Sequence, residues 1–559
     1  MPIVDVAVWD LERLVGRGLG EGELLEYLPK LKCEVEEIAE GLVVYEATHD
    51  RPDLFSAEGL GRALEGLLGI EAGLREFSIE REVLSLDARG PEYRPYVAGA
   101  VVEGLSLDDE AVRQLMNLQE KLHATYCRNR RKVSIGLYDL DKIEPPIKYV
   151  AVEPHSVRFT PLGETREMDL AEVLKETEKG REFGHLLAGH GKYPLLVDSE
   201  GIVLSLPPII NSEDTKVTPE TKRVFIDATG VDLGAVVEIL GVVATSAAER
   251  GSGAKIGLVR VDYGRESIET PELAPRPMVL ETEYVEDLVG LELSADDVAR
   301  LLEAMRHGVR AQRGARLEVL VAPYRLDVLH PVDLVEDVAM AYGYENIEAA
   351  ALPPTSRGRI SPIERLSRKV RDVMIGLGAQ EVANYMMSNP DLLLKKMRIE
   401  GERVVEVANP KMEKYTALRN WLLPGLLEIL AENRHLGYPL RVFEVGDVAV
   451  VDEECETRAR TERHLGVVLA SPDTTMTDIL VLAKAFFSSL GLEYEVAEAS
   501  HPSFIEGRCG VVLLRESKAG ILGEVHPEIL ESFDLRVPVA AMEVKLEEVL
   551  EAIRAKSAQ

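Results

Sequence analysis

The chain has 559 residues, 46% hydrophobic and 29% charged, enough for about three to five domains of ordinary size. Its net charge of 64 − 97 = −33 argues against a surface that meets polyphosphate over most of its area, so nucleic acid has to be met at local basic patches or through another subunit. The lack of any run of about 18 apolar residues argues against a membrane span, the acid-bearing start MPIVDVAVWDLERLVG against export, and the singly placed Cys33, Cys127, Cys455 and Cys509 against a disulfide framework or zinc site. A cytoplasmic location is expected.

In residues 1–90, VDVAVW reads as a strand and LEYLPKLKCEVEEI as a helix. Ser56 is placed to cap a second helix with Leu60, Ala63, Leu64, Leu67 and Leu68 on one face, after the turn HDRPD. Residues 91–269 read as mixed α/β. Ser106 and Asp109 have capping-box spacing at the head of a long amphipathic helix. That helix ends in KLHATYCRNRRK, Lys121 to Lys132, with five positive charges and no acid. Strands VSIGLYD and YPLLVDSEGIVLSLPPII follow. In SLPPIINSEDTKVTPETKRVFIDATGVD, Ser205, Asn211, Asp227 and Thr229 sit near prolines and strand ends, where polar groups point into a pocket or simply end a strand. A helix over LGAVVEILGVVATSAAER leads to the strand KIGLVRVDYG. The glycines of GSGAKIG follow a helix and open a strand, the reverse of a dinucleotide fingerprint, so they read as a turn. No GxxxxGK[ST] or HExxH motif is present.

Residues 270–350 follow the proline-bearing ELAPRPM and form a small α+β module, with a helix capped by Ser294 and the strand RLEVLVAP. Next comes YRLDVLHPVDLVEDVAMAYGYENI, with Asp327, Asp333, Glu336 and Asp337. Pro331 suits a helix start and Asp333 an N-cap, which would place Glu336 and Asp337 beside it on the first turn. Two readings stay open on spacing alone: an oxygen-ligand site for Mg²⁺, or acids complementing a helix dipole. Residues 351–559 follow a linker, ALPPTSRGRISP. They carry a second basic patch, Arg357 to Arg371, and a basic amphipathic helix, PIERLSRKVRDVMIGLGAQ, then strands and helices that predict an antiparallel sheet flanked by helices.

Taken in order, HDRPDLFSAEGLGRAL, RNRRKVSIGLYDLD, PPIINSEDTKV with FIDATG, DVLHPVDLVEDVAMAYGYENI, NPKMEKYTALRNWLLPGLL, FEVGDV, and HPSFIEGR with LGEVHPEIL resemble the phenylalanyl-tRNA synthetase β subunits of the shorter archaeal and eukaryotic kind. The resemblance covers essentially the whole chain, and leaves no room for the additional domains of the longer bacterial subunits. It implies a multidomain α+β protein: an N-terminal domain (1–90), a tRNA-editing α/β domain (91–269), a small Mg²⁺-binding module (270–350) and a catalytically silent class II synthetase-like domain (351–559).

By residue, the resemblance implies Mg²⁺ ligands at Asp327, Asp333, Glu336 and Asp337, and a pocket for wrongly esterified tyrosine at Ser205, Asp227 and Thr229, with Asn211 a weaker member. Arg128, Arg130, Arg131 and Lys132 are candidate tRNA contacts. The phosphate-clamping arginine expected near FEVGDVAVV is missing, and no GxGxxxR stands near the C-terminus. The implied aminoacylation site, with its ATP and phenylalanine, therefore belongs to an α subunit, two α and two β making the ligase for tRNA(Phe). The competing readings are a scaffold for tRNA and the α subunit without editing, and a free-standing hydrolase.

Overall fold

The computed structural model describes residues 1–349, 351 and 357–557, in two compact units, 1–351 and 352–559. Residues 352–356 of the expected linker lie outside the described residues.

The first unit begins with a three-stranded antiparallel sheet in the order Ile3–Ala7, Leu42–Ala47, Cys33–Ala39. The expected helix over residues 25–38 is corrected here. The helix Glu21–Tyr27 ends before Pro29, and a strand, Cys33–Ala39, starts just beyond. Proline opens the short turn Pro29–Leu31 but cannot continue the helix before it. Likewise the first strand stops at Ala7, and Val8 and Trp9 begin the helix Val8–Val15.

A ten-stranded sheet dominates the unit. Its order is Ile210–Asn211, Val203–Leu206, Tyr193–Val197, Ile147–Val152, Ser78–Arg89, Lys255–Asp262, Tyr96–Glu103, Arg223–Gly230, Val133–Asp139, with Ser267–Thr270 joined to Lys255–Asp262. Ser78–Arg89 runs parallel to both its neighbours; the other pairings are antiparallel. This strand lies before residue 90, so the expected boundary there cuts off part of the sheet.

Alternation along Arg223–Gly230 assigns its two faces. Val224, Ile226 and Ala228 pack under the helices Asp109–Ala124 and Leu233–Ala248, in a core shared with Leu11, Leu54, Leu60 and Leu64 of the N-terminal region. Phe225, Asp227 and Thr229 therefore face the opposite side, where Phe225 joins Tyr138, Tyr149, Leu196 and Leu204. The cap of Asp109–Ala124 is Asp108, which accepts from the Ala111 N–H, rather than the expected pair Ser106 and Asp109.

The module after residue 275 has the antiparallel sheet Arg276–Glu281, Arg316–Val321, Gly308–Arg313, packed on the helices Thr282–Val289, Ala295–Ala304 and Pro331–Tyr342. The end of the expected linker ELAPRPM is already part of its first strand. Ser294 caps Ala295–Ala304 by accepting from the Asp297 N–H, as its spacing predicts.

The second unit holds a seven-stranded sheet in the order Gln380–Glu381, Leu440–Val451, Ala459–Ala470, Val539–Lys545, Ser517–Val525, Phe504–Leu514, Glu495–Glu498. All its pairs are antiparallel except the first. Helices Pro362–Gly376, Met476–Ser489 and Leu546–Ser557 contribute to one core, and Leu423–Asn433 to another, on strands of the same sheet. The expected antiparallel sheet flanked by helices is found. Among the described residues no helix is long and apolar enough to cross a membrane.

Candidate functional site

Beside the edge strand Val133–Asp139 of the large sheet lies a pocket of about 250 Å³, lined among others by Ser205, Asn211, Asp227 and Tyr138, by Glu120 of the helix Asp109–Ala124, and by Arg130. Asp227 is 2% exposed and pairs across the strands with Gly136 and Gly99. The Tyr138 hydroxyl lies 2.5 Å from Asp227 Oδ1 and 2.8 Å from Ser205 Oγ. One phenolic proton serves only one of these acceptors, and a carboxylate is the stronger. The chain of groups is then Ser205 hydroxyl to Tyr138 hydroxyl to Asp227. Burial pushes the Asp227 carboxyl up to about 7, although the Tyr138 hydrogen bond and the Arg94 charge pull the other way. Ser205 and Asn211 are cross-strand partners, which brings the Asn211 amide to the same wall.

Gly136 makes this arrangement possible. A methyl group on it would overlap the Tyr138 hydroxyl and the Asp227 carboxylate. Gly136→Ala is therefore expected to destabilise the chain by about 1–3 kcal/mol, as overpacking does, and to separate the two groups. Urea titration checks the first effect, and the fluorescence or chemical shift of a labelled Tyr138 the second.

Thr229 is a correction. It is fully buried behind the pocket rather than lining it, its hydroxyl 3.2 Å from Arg94 Nε and 2.9 Å from Ser134 Oγ. Arg94 also donates to the carbonyls of Thr229 and Arg130, so Thr229 belongs to the packing that holds Ser134 and the basic turn.

That turn places the four predicted basic residues differently from one another. Arg128, Asn129 and Arg130 all have left-handed backbones, with φ of 52°, 52° and 64°. Arg128 and Arg131 are exposed. Arg130 turns inward: it donates to Glu120 at 2.6 Å and to the carbonyls of Pro208 and Ile209, and its guanidinium lies 4.5 Å from the centre of the Phe183 ring. Lys132 is paired with Asp232 at 3.5 Å. Glu120 stands at the pocket edge; burial would raise its carboxyl, but the bond to His123 and the charges of Arg130 and Lys179 hold it at about 2. Burial drives His123 down to about 4, leaving a neutral ring that accepts from the Ile135 N–H.

Three family profiles match the chain. The B3/4 domain covers residues 110–241, the tRNA synthetase B5 domain 278–344, and the phenylalanyl-tRNA synthetase beta chain CLM domain 350–546. The phenylalanine–tRNA ligase beta subunit of Thermofilum pendens is 48% identical over 556 residues, spanning 100% of this chain and 99% of that protein. The chain belongs to the phenylalanine–tRNA ligase β-subunit family. The Pyrococcus horikoshii β subunit is 44% identical over 98% of this chain and 99% of its own length. A crystal structure of an N-terminal fragment of the P. horikoshii subunit matches 61% of this chain and all of the fragment, with a TM-score of 0.59.

Within this family member, the four acids of the B5 region lie in three separate settings. The helix starts at Pro331 with His330 as N-cap, three residues before the start expected from an Asp333 cap. Asp333 instead sits at the third helical position and accepts from the backbone N–H groups of Leu329 and His330, closing a capping box. Glu336 is exposed and pairs with Lys32 at 2.8 Å. Asp327 and Asp337 both bind Arg325, at 2.7 Å each. The expected joint ligand set is thus not assembled, and among the described residues no group of three or more His, Cys, Asp or Glu is placed to hold a metal ion. As folded, this donor set does not fit Mg²⁺, which takes near-octahedral oxygens and keeps several waters.

In the CLM sheet, Glu444 of FEVGDV is buried and bound by Arg419 at 2.7 Å and by the Asn384 amide at 2.9 Å. Leu422 and Leu426 lie against Gly466. Glu543 accepts the N–H groups of Leu422 and Leu423 at the start of the helix Leu423–Asn433, and binds His464 Nδ1 at 2.7 Å. Glu462 lies 3.1 Å from the other ring nitrogen. Burial disfavours the imidazolium, but the two glutamates outweigh it and raise His464 to about 9. The folded-state value exceeds the ordinary 6.5, so this contribution is complete below about 6.5 and is lost as pH rises through about 9. We expect a loss of about 3 kcal/mol across that window, read as a falling melting temperature that His464→Gln flattens.

In the second basic segment two residues are paired with acids, while Arg357, Arg359, Arg365 and Lys369 are exposed. Arg368 pairs with Glu364, and Arg371 with Glu364 and Glu381.

Proposed function

We propose that this chain is the β subunit of a phenylalanine–tRNA ligase whose pocket at Asp227 hydrolyses tyrosine wrongly esterified to tRNA(Phe). The observation that carries the reading is a buried, hydrogen-bonding Asp227–Tyr138–Ser205 group at the end of an otherwise largely apolar pocket. A phenylalanine-binding site rejects an analogue that only adds a hydroxyl by about a hundredfold, so a second, hydrolytic site raises fidelity. Such a site selects in the opposite sense, because a phenyl ring leaves its buried polar groups unpaired.

In this reading Asp227 accepts from the substrate phenol, and Ser205 and Asn211 orient the ring beside it. Water attacks the ester carbonyl; the bond to the ribose oxygen breaks, and that oxygen takes a proton. No imidazole lies beside Ser205, and His123 is occupied by Glu120 and the Ile135 N–H, which favours water over a side chain as nucleophile. Exposed Arg128 and Arg131 suit the phosphates of the tRNA end.

The ligation step, with ATP and phenylalanine, is assigned to an α subunit, in an assembly of two α and two β chains. The occupied CLM face supports this: Glu444 is neutralised by Arg419, and Leu422 and Leu426 cover Gly466. The test is deacylation of tyrosyl-tRNA(Phe) and phenylalanyl-tRNA(Phe) by the purified complex. Preferential release of tyrosine supports the reading. Equal, uncatalysed rates would leave a tRNA- and subunit-binding scaffold.

A further inference from the structure

The centre of the B5 region already holds a cation supplied by the chain. Arg325 is 1% exposed, and its guanidinium forks onto Asp327, Nε to Oδ1 at 2.9 Å and Nη2 to Oδ2 at 2.7 Å. The same Nη2 lies 3.0 and 2.7 Å from the two oxygens of Asp337. Asp337 is 1% exposed and also meets His307 Nε2 at 2.7 Å, and burial holds that imidazole below its ordinary value. A second buried pair, Arg51 with Asp53 at 2.8 Å, comes in from the HDRPD turn, its charges felt at Arg325 and Asp327.

We propose that Arg325 takes the place of a divalent metal ion in this chain, so that the B5 region folds and persists without Mg²⁺. Three observations carry it. Asp327 is held by the two-nitrogen fork that arginine favours with carboxylates, and the Nη2 of that fork also reaches the oxygens of Asp337. The centre is closed to solvent, leaving no place for the waters that Mg²⁺ retains. The remaining two acids are committed elsewhere, Asp333 to backbone N–H groups and Glu336 to Lys32. Two guanidiniums already face three carboxylates, so the charge is close to balanced without an ion.

The test uses the full chain with Mn²⁺ as a paramagnetic stand-in for Mg²⁺, followed by electron paramagnetic resonance and by melting in EDTA or MgCl₂ at matched ionic strength. The native chain is expected to hold no Mn²⁺ and to melt at the same temperature in both media. Arg325→Ala leaves Asp327 and Asp337 facing the space the guanidinium filled. It is expected to melt lower in EDTA, to bind one Mn²⁺, and to recover part of the loss in MgCl₂. Arg325→Lys keeps the charge without the fork and is expected to bind none. Mn²⁺ held by the native chain and released by Asp333→Asn with Glu336→Gln overturns the proposal, as does native melting that falls on chelation. A folded Arg325→Ala chain that gains no Mn²⁺ also counts against it. If Arg325→Ala does not fold, the native chain still decides between the two.

Discussion

Replacing Asp227 with alanine is expected to slow release of tyrosine from tRNA(Phe) by roughly 10- to 150-fold, with release of phenylalanine unchanged. The range corresponds to about 1.5–3 kcal/mol for a hydrogen bond to a charged acceptor. The carboxylate is a buried acceptor in the pocket wall, and Gly136 and Tyr138 are arranged around it. Because burial sets its pKa near 7, selectivity should also climb with pH through that value as the acceptor form fills. The stability effect has the opposite sense. A folded-state value above the ordinary 3.8 means that the contribution of Asp227 is complete below 3.8 and is lost as pH rises toward about 7. Asp227→Asn should therefore be no less stable than the native chain at neutral pH while losing the pH dependence of selectivity. Single-turnover deacylation of both aminoacyl-tRNAs across neutral pH measures this. A ratio of tyrosine to phenylalanine release that Asp227→Ala leaves untouched would falsify the assigned role.

The largest stability loss is expected from Arg250→Ala, about 3–5 kcal/mol, the usual consequence of breaking a buried ion pair from one side. Arg250 binds both oxygens of Asp10, at 2.7 and 2.9 Å, and Glu58 at 2.5 Å. All three side chains are at most 1% exposed. The triad ties the helices Val8–Val15 and Ala57–Leu67 to the turn that follows Leu233–Ala248. Without the guanidinium, Glu58 stays buried without a counter-charge and Asp10 keeps only Arg13. Arg250→Met combined with Asp10→Asn and Glu58→Gln should recover part of the loss, since neutral partners need no cation. Urea midpoints for the two variants separate charge from packing; a loss below about 1 kcal/mol, the value of an exposed pair, would rule the lock out.

Much of this was legible from residue order. Periodicity and caps locate the helix Ala295–Ala304 with Ser294, and predict an antiparallel sheet flanked by helices in the second unit. Ser205, Asn211 and Asp227, which residue order leaves open between pocket and strand end and the resemblance places in a pocket, line one cavity. What the pattern missed is long-range. Tyr138 belongs to VSIGLYD, a run that reads as ordinary buried strand, and only cross-strand register sets its hydroxyl on Asp227. The signal available was Gly136: a glycine inside a strand marks close approach by another group. Thr229 was misplaced because its alternation with Asp227 gives the right face of the sheet but not the depth. Helical spacing groups Asp333, Glu336 and Asp337, and the resemblance adds Asp327, whereas Arg325, two residues before Asp327, decides where two of the four point. Ser78–Arg89 was left out of the sheet because parallel partners at Ile147–Val152 and Lys255–Asp262 leave no mark in local sequence.

That strand also sets the order in which the polypeptide can become a protein. It leaves the ribosome long before either partner, and Lys255–Asp262, which separates it from Tyr96–Glu103, comes more than 150 residues later. Until then the two early strands present open edges, the kind that recruit wrong partners. Pairing across so long a loop is slow to form. Residues 110–241, the extent of the B3/4 match, contain neither Ser78–Arg89 nor Lys255–Asp262. The residues that line the pocket all lie between 116 and 227, yet the sheet beneath them is complete only once the chain has returned with Lys255–Asp262.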